Sequence, residues 1–421
     1  MEKRVHGTLR GEVALPPSKS QAHRLLICAA LGTDPCSIAC NSVNDDIMAT
    51  MRCLNALGAR ITFSSGVFDV QPVNVTKGGM LDCGESGSTL RFLMSVAAVL
   101  GADATFTGAG KLPQRPMEAL TEVLAAHGVS FERHSADELP VTCSGTLQGG
   151  NFTLPGNISS QYLTGLLFAL PLAAVDSQIE VTGGLTSASY IDMTIDALRT
   201  AGISVERRNN IFTIKGNQHY RMPERVVVEG DWSSAAFWVV AGVIGKQPLT
   251  ICGMNNESLQ GDSAIVDHLR SMGAFIETAD DKVVAMPSHL FGTELDCMDT
   301  PDLVPILSVA AAVAQGTTTF TNVGRLRFKE SDRLAAMKSV LESFGITSSV
   351  GEDTFTVYGG KPVAAHPVDS FGDHRIAMSA AVLSTVVEGV TTIIGAECVA
   401  KSYPSFFEDF AALGGVVEKV V

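Results

Sequence analysis

Residues 51–63 read MRCLNALGARITF, a helix-like stretch that ends at a glycine and continues into a short strand-like run. The same pattern returns at 120–132, 194–206, 265–277, 337–349 and 407–419. Its glycines are Gly58, Gly128, Gly202, Gly273, Gly345 and Gly414, with spacings of 70, 74, 71, 72 and 69 residues. Glycine suits the residue that follows a helix, where φ is positive and a Cβ is penalised. The spacing predicts six repeats that together account for the chain.

Each repeat also holds a second helix that is apolar around most of its girth and is therefore expected to be buried. These helices fall at 18–32, 84–101, 158–174, 231–245, 300–316 and 373–389, and each is followed by a strand-like run such as SIAC or TTIIG. The residues at their expected N-caps are Ser18, Ser86, Ser159, Asp231, Thr300 and Asp373. Helix N-termini carry partial positive charge, so a common region of such ends would attract phosphates and carboxylates. The alternative is that these residues are plain caps.

The chain is predicted to cross between two domains twice. A break lies near 222–230, after three repeats, and the pair Pro16–Pro17 marks the other crossing. The expected domains are 1–16 with 228–421, and 17–227, joined by a two-stranded hinge. The default ligand site is the cleft between them.

Composition excludes several classes of protein. With 46% hydrophobic and 18% charged residues, the chain has too much apolar content for disorder. A balance of 30 basic against 44 acidic residues, net charge −14, argues against a nucleic-acid or membrane partner. Nine cysteines without a CxxC pair, and no signal-like segment, favour a cytoplasmic protein with reduced thiols. Any anionic ligand must then be held by a few well-placed cations.

Three motifs at the starts of the first three buried helices combine hydroxyls, amides and cations. SKSQAHR, residues 18–24, places Ser20 and Arg24 on one helical face, behind Lys19. GESGSTLR, residues 84–91, resembles a phosphate-cradling loop, although it is not a Walker motif. SSQYLTGLL supplies three hydrogen-bonding side chains where capping requires one. An ordinary set of capped helices with solvated charges is the competing interpretation.

The strongest local cluster of charge is LRFKESDRL, residues 326–334, in which Lys329 and Arg333 are four apart and Glu330 lies between them. Charges that precede a core-forming helix can be partly desolvated, and their pKa values then shift. The other charged candidates stand at or just before later helix starts: Asp302, Arg375, Lys401 and, in a loop of the second repeat, Arg115.

Taken together, SKSQAHR, GESGSTLR, QRP, SSQYLTGLL, SASYID, KESDR, DHRIAM and AKSYPSFF resemble the 5-enolpyruvylshikimate-3-phosphate (EPSP) synthase family, in that family's order, over residues 15–407. The resemblance implies an α/β fold: a two-domain inverse α/β barrel with six βαβαββ repeats, three per domain. It implies transfer of the enolpyruvyl group of phosphoenolpyruvate to the 5-hydroxyl of shikimate 3-phosphate, with release of phosphate. No metal or organic cofactor is implied, the partners are the two substrates, and we expect a monomer.

The resemblance also implies roles for individual residues. For shikimate 3-phosphate they are Lys19, Ser20, Arg24, Ser159, Ser160, Gln161, Ser187, Tyr190, Asp302 and Lys329. For phosphoenolpyruvate they are Lys19, Gly87, Arg115, Gln161, Arg333, Arg375 and Lys401. Asp302 is the candidate to take the proton of the 5-hydroxyl. Glu330 is the candidate to protonate C3 and remove that proton later, with Lys19 or Lys401 as alternative donors.

Some positions depart from the family pattern. His23 stands where an asparagine often precedes the arginine, Glu85 stands where asparagine is common, and Arg325 stands where some members use an asparagine on the phosphate. Gly87 matches the glycine that leaves room for the inhibitor glyphosate, so we expect a glyphosate-sensitive enzyme.

Two rival functions remain to be distinguished. One is a UDP-N-acetylglucosamine enolpyruvyl transferase, which commonly uses a loop cysteine where residues 84–142 have none. The other is a non-catalytic anion-binding repeat protein. Phosphate release assayed with each acceptor separates all three.

Overall fold

The structure is a computed structural model that describes residues 1–156, 159–364 and 367–420. The chain forms two compact units. The inserted unit is Lys19–Val228, and the terminal unit combines Met1–Ser18 with the residues from Glu229 onward. Where the chain passes from one unit to the other, Pro17 pairs with Gly230 as an antiparallel bridge, and the Ser18 N–H donates to the Glu229 carbonyl at 2.7 Å.

Strands of the inserted unit form three four-stranded sheets in the part of the chain described. The first sheet has the order β14 (Arg225–Val227), β3 (Cys36–Ala39), β5 (Val67–Gln71), β4 (Arg60–Ser64). The second has the order β6 (Gly79–Asp82), β7 (Ala104–Thr107), β9 (Val141–Gly145), β8 (Val129–Arg133). The third has the order β10 (Asn151–Pro155), β11 (Ser177–Thr182), β13 (Ile211–Ile214), β12 (Val205–Arg208).

The terminal unit repeats this arrangement with three further sheets among its described residues. The first has the order β2 (Gly11–Ala14), β15 (Leu249–Cys252), β17 (Lys282–Met286), β16 (Phe275–Ala279). The second has the order β18 (Glu294–Asp296), β19 (Thr317–Thr321), β21 (Thr354–Tyr358), β20 (Ser348–Val350). The third has the order β22 (Val368–Asp369), β23 (Thr391–Ile394), β1 (Glu2–His6), β24 (Val416–Val420). In all six sheets the first pair is parallel and the next two pairs are antiparallel. The sheets therefore share one topology, as six copies of one repeat require.

Two helices accompany each sheet. The helices predicted to be buried are α1 (Lys19–Ala30), α3 (Gly87–Val99), α5 (Ser160–Ala169), α7 (Trp232–Ile244), α9 (Val304–Val313) and α11 (His374–Leu383). The helices that precede the repeat glycines are α2 (Asp45–Ala56), α4 (Glu118–Ala125), α6 (Ala188–Thr200), α8 (Ile265–Ser271), α10 (Arg333–Ser343) and α12 (Phe406–Ala412). In α7 eleven of thirteen residues are buried, as expected of a helix that is apolar on all sides. Each unit encloses its own hydrophobic core, and none of the described helices is long and apolar enough to cross a membrane.

The helix ends match most of the local predictions. All six repeat glycines have positive φ, from 74° at Gly202 and Gly345 to 115° at Gly58. The side chains of Ser86, Ser159, Asp231 and Asp373 accept N–H groups of the first turns of α3, α5, α7 and α11, so these residues are N-caps as predicted.

Thr300 departs from the predicted caps, while the prediction for Ser18 stays untested. Its side chain caps no helix, because a 3₁₀ turn at Pro301–Leu303 separates it from α9. The Thr300 hydroxyl instead lies 3.1 Å from His268 Nε2. The prediction of an N-cap at Thr300 is therefore wrong, and the intervening turn is the segment that carries Asp302.

Candidate active site

Arg24 is a buried cation of the inserted unit whose hydrogen-bond partners are all neutral. Its Nε donates to Thr194 Oγ1 at 2.9 Å, its Nη1 to the Ser20 carbonyl at 2.6 Å and its Nη2 to the Tyr190 carbonyl at 2.9 Å. The side chain is 2% exposed, and burial lowers the pKa of Arg24 to about 10. With a pKa of about 10 the guanidinium stays protonated at neutral pH, and its three hydrogen-bond partners carry no compensating negative charge. Such a guanidinium can bind an anion.

Lys19, at the first residue of α1, pairs with a carboxylate that the sequence did not point to. Its Nζ lies 2.9 Å from Asp46 Oδ2, and the two side chains are 18% and 9% exposed. Asp46 belongs to the first turn of α2, which Asn44 caps by accepting the Ile47 N–H at 3.0 Å. The two acidic residues at the start of this helix, Asp45 and Asp46, were the available signal in the sequence. Acidic residues are generally favourable near a helix N-terminus, so they did not indicate a partner for Lys19.

The start of α3 brings Gly87 together with two guanidinium groups. A Cβ built on Gly87 would lie 2.9 Å from Nη1 of Arg91 and 2.9 Å from Nη1 of Arg115. Arg91 Nη1 donates to Gln161 Oε1 at 2.7 Å, and Gln161 Nε2 donates to Ser88 Oγ at 3.0 Å. The structure thus places Gly87, Arg115 and Gln161 in one cluster, and it adds Arg91, which the residue assignment from the sequence left out.

Hydroxyl groups stand at the starts of α5 and α6. Ser159 caps α5, and its Oγ accepts the Gln161 N–H at 3.3 Å, while Ser160 is the first helical residue. Ser187 precedes α6 with a left-handed backbone, φ 56°, and its side chain makes no capping hydrogen bond. Tyr190 lies in the first turn of α6, next to Arg24, whose guanidinium carbon is 5.9 Å from the centre of the Tyr190 ring. Tyr190 and Thr194 of α6 therefore lie beside the same cation as Ser20 of α1.

Arg333 is the centre of a second cluster, which lies in the terminal unit. Each of its three nitrogens contacts a different carboxylate at 2.8 Å: Nε contacts Asp373 Oδ2, Nη1 contacts Asp302 Oδ1 and Nη2 contacts Glu330 Oε2. The side chain is 2% exposed. Burial alone lowers the pKa of Arg333, but the three carboxylates more than offset burial and raise it. The guanidinium thereby fixes the positions of three acids relative to one another.

Two further cations, Arg375 and Lys329, contact Asp302. Its Oδ2 accepts from Arg375 Nη2 at 3.1 Å, its carbonyl accepts from Arg375 Nη1 at 3.1 Å, and Lys329 Nζ lies 3.3 Å from its Oδ1. Burial alone raises the pKa of Asp302, but Arg375, Lys329 and Arg333 outweigh burial and hold the pKa well below its usual range. Asp302 is therefore ionised at neutral pH and is oriented by three cations.

Asp373 holds this cluster to α11. It is fully buried, it caps α11 through the Arg375 N–H at 2.9 Å, and it also accepts from Ser331 Oγ at 3.0 Å. Burial raises the pKa of Asp373, but Arg333 and His374 together outweigh burial, so the net direction is downward. Lys401 is 7% exposed and ends a 3₁₀ turn at Ala396–Lys401.

Comparison with known proteins gives a single result. A sequence model of the EPSP synthase (3-phosphoshikimate 1-carboxyvinyltransferase) family matches residues 3–410. The 3-phosphoshikimate 1-carboxyvinyltransferase of Clostridium kluyveri is 42% identical over 414 residues, which cover 98% of this chain and 96% of that protein. The chain belongs to the EPSP synthase family.

Further relatives agree with this result. The enzyme of the same name from Clostridium acetobutylicum is 40% identical over 98% of this chain and 96% of its own length. The solved structure of EPSP synthase from Acinetobacter baumannii superposes with a TM-score of 0.83, at 25% identity, over the whole of both chains. The predicted inverse α/β barrel fold is confirmed by this match, and the transferase activity predicted from the motifs is the activity of the EPSP synthase family.

One buried acid of the EPSP synthase chain was missed entirely by the sequence reasoning. Asp262 is 3% exposed, it accepts a short hydrogen bond from Ser233 Oγ, and its Oδ1 is buried without a hydrogen-bond partner. Burial raises the pKa of Asp262 to about 6, although Arg375 opposes this shift. An isolated Gly-Asp at the start of a short turn gives no signal of burial, so only the structure could identify it.

None of the described residues forms a group of three or more histidine, cysteine, aspartate or glutamate side chains that could hold a metal ion.

Proposed function

We propose that this chain forms a carbon–oxygen bond between the 5-hydroxyl of shikimate 3-phosphate and C2 of phosphoenolpyruvate, and then expels inorganic phosphate. The observation that carries the proposal is the contrast between two buried arginines: Arg24, which has neutral partners, and Arg333, which contacts three carboxylates. The first arrangement suits a phosphate anion, and the second suits proton transfer.

Shikimate 3-phosphate is assigned to the inserted unit's α1, α5 and α6, with Lys329 and Asp302 from the terminal unit. Arg24 supports this assignment, because a bound phosphate would supply the negative charge that its neutral partners do not. The hydroxyls of Ser20, Ser159, Ser160 and Ser187, with the Lys19 ammonium, the Gln161 amide and the Tyr190 ring, complete the proposed set.

Phosphoenolpyruvate carries a phosphate and a carboxylate, which planar guanidinium groups bind through paired hydrogen bonds. We assign it to the cations Lys19, Arg115, Arg333, Arg375 and Lys401, with Gly87 and Gln161. Arg115 and Gly87 support the assignment, because the glycine lets a guanidinium lie directly against the start of α3. An arginine has five N–H donors, so Arg333 can bind an anion while it contacts its carboxylates.

Proton transfer is assigned to two acids held by one guanidinium. In the addition step the 5-hydroxyl oxygen bonds to C2 of phosphoenolpyruvate, its proton passes to Asp302, and C3 receives a proton from Glu330. In the elimination step C3 returns a proton to Glu330, the double bond re-forms, and the bond from C2 to the phosphate oxygen breaks. The departing phosphate takes the proton that Asp302 holds, which returns both acids to their starting states. Arg333 supports these roles, because it contacts both carboxylates at 2.8 Å. Lys19 and Lys401 remain the alternative proton donors for C3.

The experiment is a phosphate-release assay with phosphoenolpyruvate and each acceptor in turn. We expect release with shikimate 3-phosphate and none with UDP-N-acetylglucosamine, and we expect Asp302→Asn to abolish most of it. Release with the nucleotide sugar instead would overturn the choice of acceptor. No release with either acceptor from folded protein would overturn the transferase function.

We also propose that the chain acts as a cytoplasmic monomer. All nine cysteines are free thiols, seven of them buried, which suits a reducing compartment. Size-exclusion chromatography with light scattering is expected to give one chain's mass, 44.3 kDa.

A further inference from the structure

A line of buried side-chain hydrogen bonds joins α1, α2 and the start of α3 in the inserted unit. His23 Nδ1 lies 2.7 Å from Thr50 Oγ1, and Thr50 Oγ1 lies 2.6 Å from Thr89 Oγ1. Thr89 Oγ1 then donates to Ser86 Oγ at 2.8 Å. All four side chains are 0–1% exposed. The line runs from α1 through α2 to the N-cap of α3.

The order of donors along this line can be worked out from its far end. The Thr89 hydroxyl has two acceptors within reach, Ser86 Oγ at 2.8 Å and the Asp46 carbonyl at 3.5 Å. Because its one proton points to these acceptors, it accepts from Thr50. The Thr50 hydroxyl then donates its proton to Thr89, so toward His23 it acts as the acceptor. His23 Nδ1 must therefore carry a hydrogen and donate it.

We infer that His23 is a neutral positioning residue, protonated on Nδ1, that fixes the substrate-binding starts of α1 and α3 relative to each other through Thr50. The tautomer of His23 follows from the hydrogen bonds alone. The kinetic consequence of the inference rests on the proposed function.

The surroundings of the imidazole exclude its charged form. Its Nε2 is buried and has no hydrogen-bond partner among the described residues, so a second N–H there would be left unsatisfied. Burial lowers the pKa of His23 well below its ordinary value, and the charges of Lys19 and Arg24 lower it further. The neighbouring helices present uncharged groups to the imidazole: the Thr50 hydroxyl of α2 and the ring of Phe92 of α3, which lies edge to face with it. A neutral imidazole thus supplies a buried donor without adding a third positive charge.

The line ends at residues that the proposed function uses. His23 lies one turn after Lys19 on α1 and directly before Arg24, while Ser86 caps α3 directly before Gly87. Loss of the Thr50 hydroxyl would leave the His23 donor unsatisfied in the core and would break the connection between α1 and α3. We expect this to shift the binding groups rather than the proton-transfer groups, which belong to the other unit.

The first experiment reads the tautomer and needs no substrate. Nitrogen-15 NMR of imidazole-labelled wild-type protein is recorded from pH 5.5 to 8, and the His23 signals are identified by their absence from His23→Asn. We expect a neutral ring with the hydrogen on Nδ1 throughout this range. A ring that titrates near pH 6.5, or one that carries its hydrogen on Nε2, overturns the inference. This result is independent of whether the protein releases phosphate.

The second experiment is kinetic and compares Thr50→Val with Thr50→Ser. Leaving a buried donor unsatisfied raises KM for shikimate 3-phosphate by about tenfold in the valine variant, with a much smaller change in kcat. The serine variant restores KM, because it restores the hydroxyl. Thr318→Val is the matched control, since the Thr318 hydroxyl is buried in the terminal unit without a hydrogen-bond partner.

A merely structural role for Thr50 predicts a different pattern. Partial unfolding would lower kcat in proportion to the folded fraction and leave KM unchanged, and that outcome overturns the positioning role. Unchanged constants in Thr50→Val overturn it as well. If Thr50→Val does not fold, Thr50→Ala, which also lacks the hydroxyl, is compared with Thr50→Ser in its place, and the NMR titration still reads the tautomer. If wild-type protein releases no phosphate from the two substrates, the proposed function fails, and the tautomer result still stands by itself.

Discussion

Arg24 and Arg333 are both 2% exposed, yet the protein treats their charges in opposite ways. Arg24 in the inserted unit donates to a hydroxyl and two carbonyls, and burial lowers its pKa. Arg333 in the terminal unit contacts three carboxylates, which raise its pKa against the effect of burial. Among the described residues no carboxylate contacts Arg24, whereas Arg333 already contacts three.

This difference indicates a division of labour between the two units. A cation without a carboxylate gains most from a phosphate ligand, so the inserted unit is suited to recognition of the phosphorylated substrate. A cation that holds three carboxylates fixes proton donors and acceptors in place, so the terminal unit is suited to acid–base chemistry. The predictions below test this contrast, and the largest effect comes first.

Asp302→Asn is expected to give the largest effect, because it removes a proposed proton acceptor and leaves shape almost unchanged. General acid–base catalysis contributes about 10²–10⁴-fold, so kcat should fall by that order while KM changes less. Glu330→Gln should behave in the same way. Steady-state kinetics of phosphate release provide the measurement, and Asp296→Asn, an exposed hydrogen-bonded aspartate of the same unit, is the control. Near-normal kcat in both variants would remove these carboxylates from the mechanism.

Arg333→Met is expected to lower the free energy of unfolding by about 3–5 kcal/mol, because it removes the arginine partner of the buried Asp373 and one of the three cations beside Asp302. Denaturant unfolding of ligand-free protein measures this change. Arg207→Met is the control, since the partly exposed Arg207 pairs with Asp192 at 2.7 Å and such pairs contribute at most about 1 kcal/mol. Equal losses in the two variants would show that the central arginine does not organise the cluster.

Arg24→Met should leave ligand-free stability nearly unchanged, because no carboxylate loses its partner. Binding of shikimate 3-phosphate should weaken by about 10- to 150-fold, the equivalent of about 1.5–3 kcal/mol for hydrogen bonds to a charged group. Calorimetric titration and denaturant unfolding of the same sample give both quantities. A stability loss as large as that of Arg333→Met, with unchanged affinity, would reverse the contrast between the two units.

The architecture was largely predictable from sequence, because its signals are local. Positive φ after a helix and a polar N-cap each depend on a few neighbouring residues, so the six glycines and four of the predicted caps could be identified. The error at Thr300 arose from the 3₁₀ turn that follows it. A sequence pattern does not distinguish such a turn from the first turn of a helix.

The pairing of charges was not predictable, because partners lie far apart along the chain. Asp46 is 27 residues from Lys19, and Asp373 is 40 residues from Arg333. The sequence indicated the charged residues, and the tertiary packing selected which of them meet. The assignment of each residue to a substrate stays a prediction.

Asp262→Asn tests whether the terminal unit holds a buried acid whose pKa is raised, in contrast to Asp302, whose pKa is lowered. Burial raises its pKa from 3.8 to about 6, against Arg375 and with Asp302 and Asp231, so the folded state binds this proton more tightly than the unfolded state does. The wild type should therefore lose stability as pH rises through this window. Relative to the asparagine variant, it should lose about 2 kcal/mol between pH 4.5 and 7.

Urea unfolding at several pH values measures this difference. Asp296→Asn is the control, because hydrogen bonds from Asn322 and the Met298 N–H lower the pKa of Asp296 and place its effect below pH 3.8. A difference that does not change with pH would mean that Asp262 is ionised in the folded state throughout.

Gly87→Ala is expected to give the smallest effect, and it acts through a cation of the inserted unit. The sequence argument placed the added methyl group toward the inhibitor glyphosate. In the structure the new Cβ would lie 2.9 Å from Nη1 of Arg115 and of Arg91, so the flexible ends of these side chains must move. Such crowding costs about 1 kcal/mol at the low end, so KM for phosphoenolpyruvate should rise about fivefold. Glyphosate is the longer ligand, and its inhibition constant should rise more.

Inhibition kinetics with phosphoenolpyruvate varied give both constants for wild type and variant. Arg115→Lys, which retains the charge and withdraws the planar group from Gly87, should reduce the difference between wild-type and alanine backgrounds. Equal loss of both ligands in Gly87→Ala would mean that the methyl group acts only through Arg115 and that the length of glyphosate has no part in its effect.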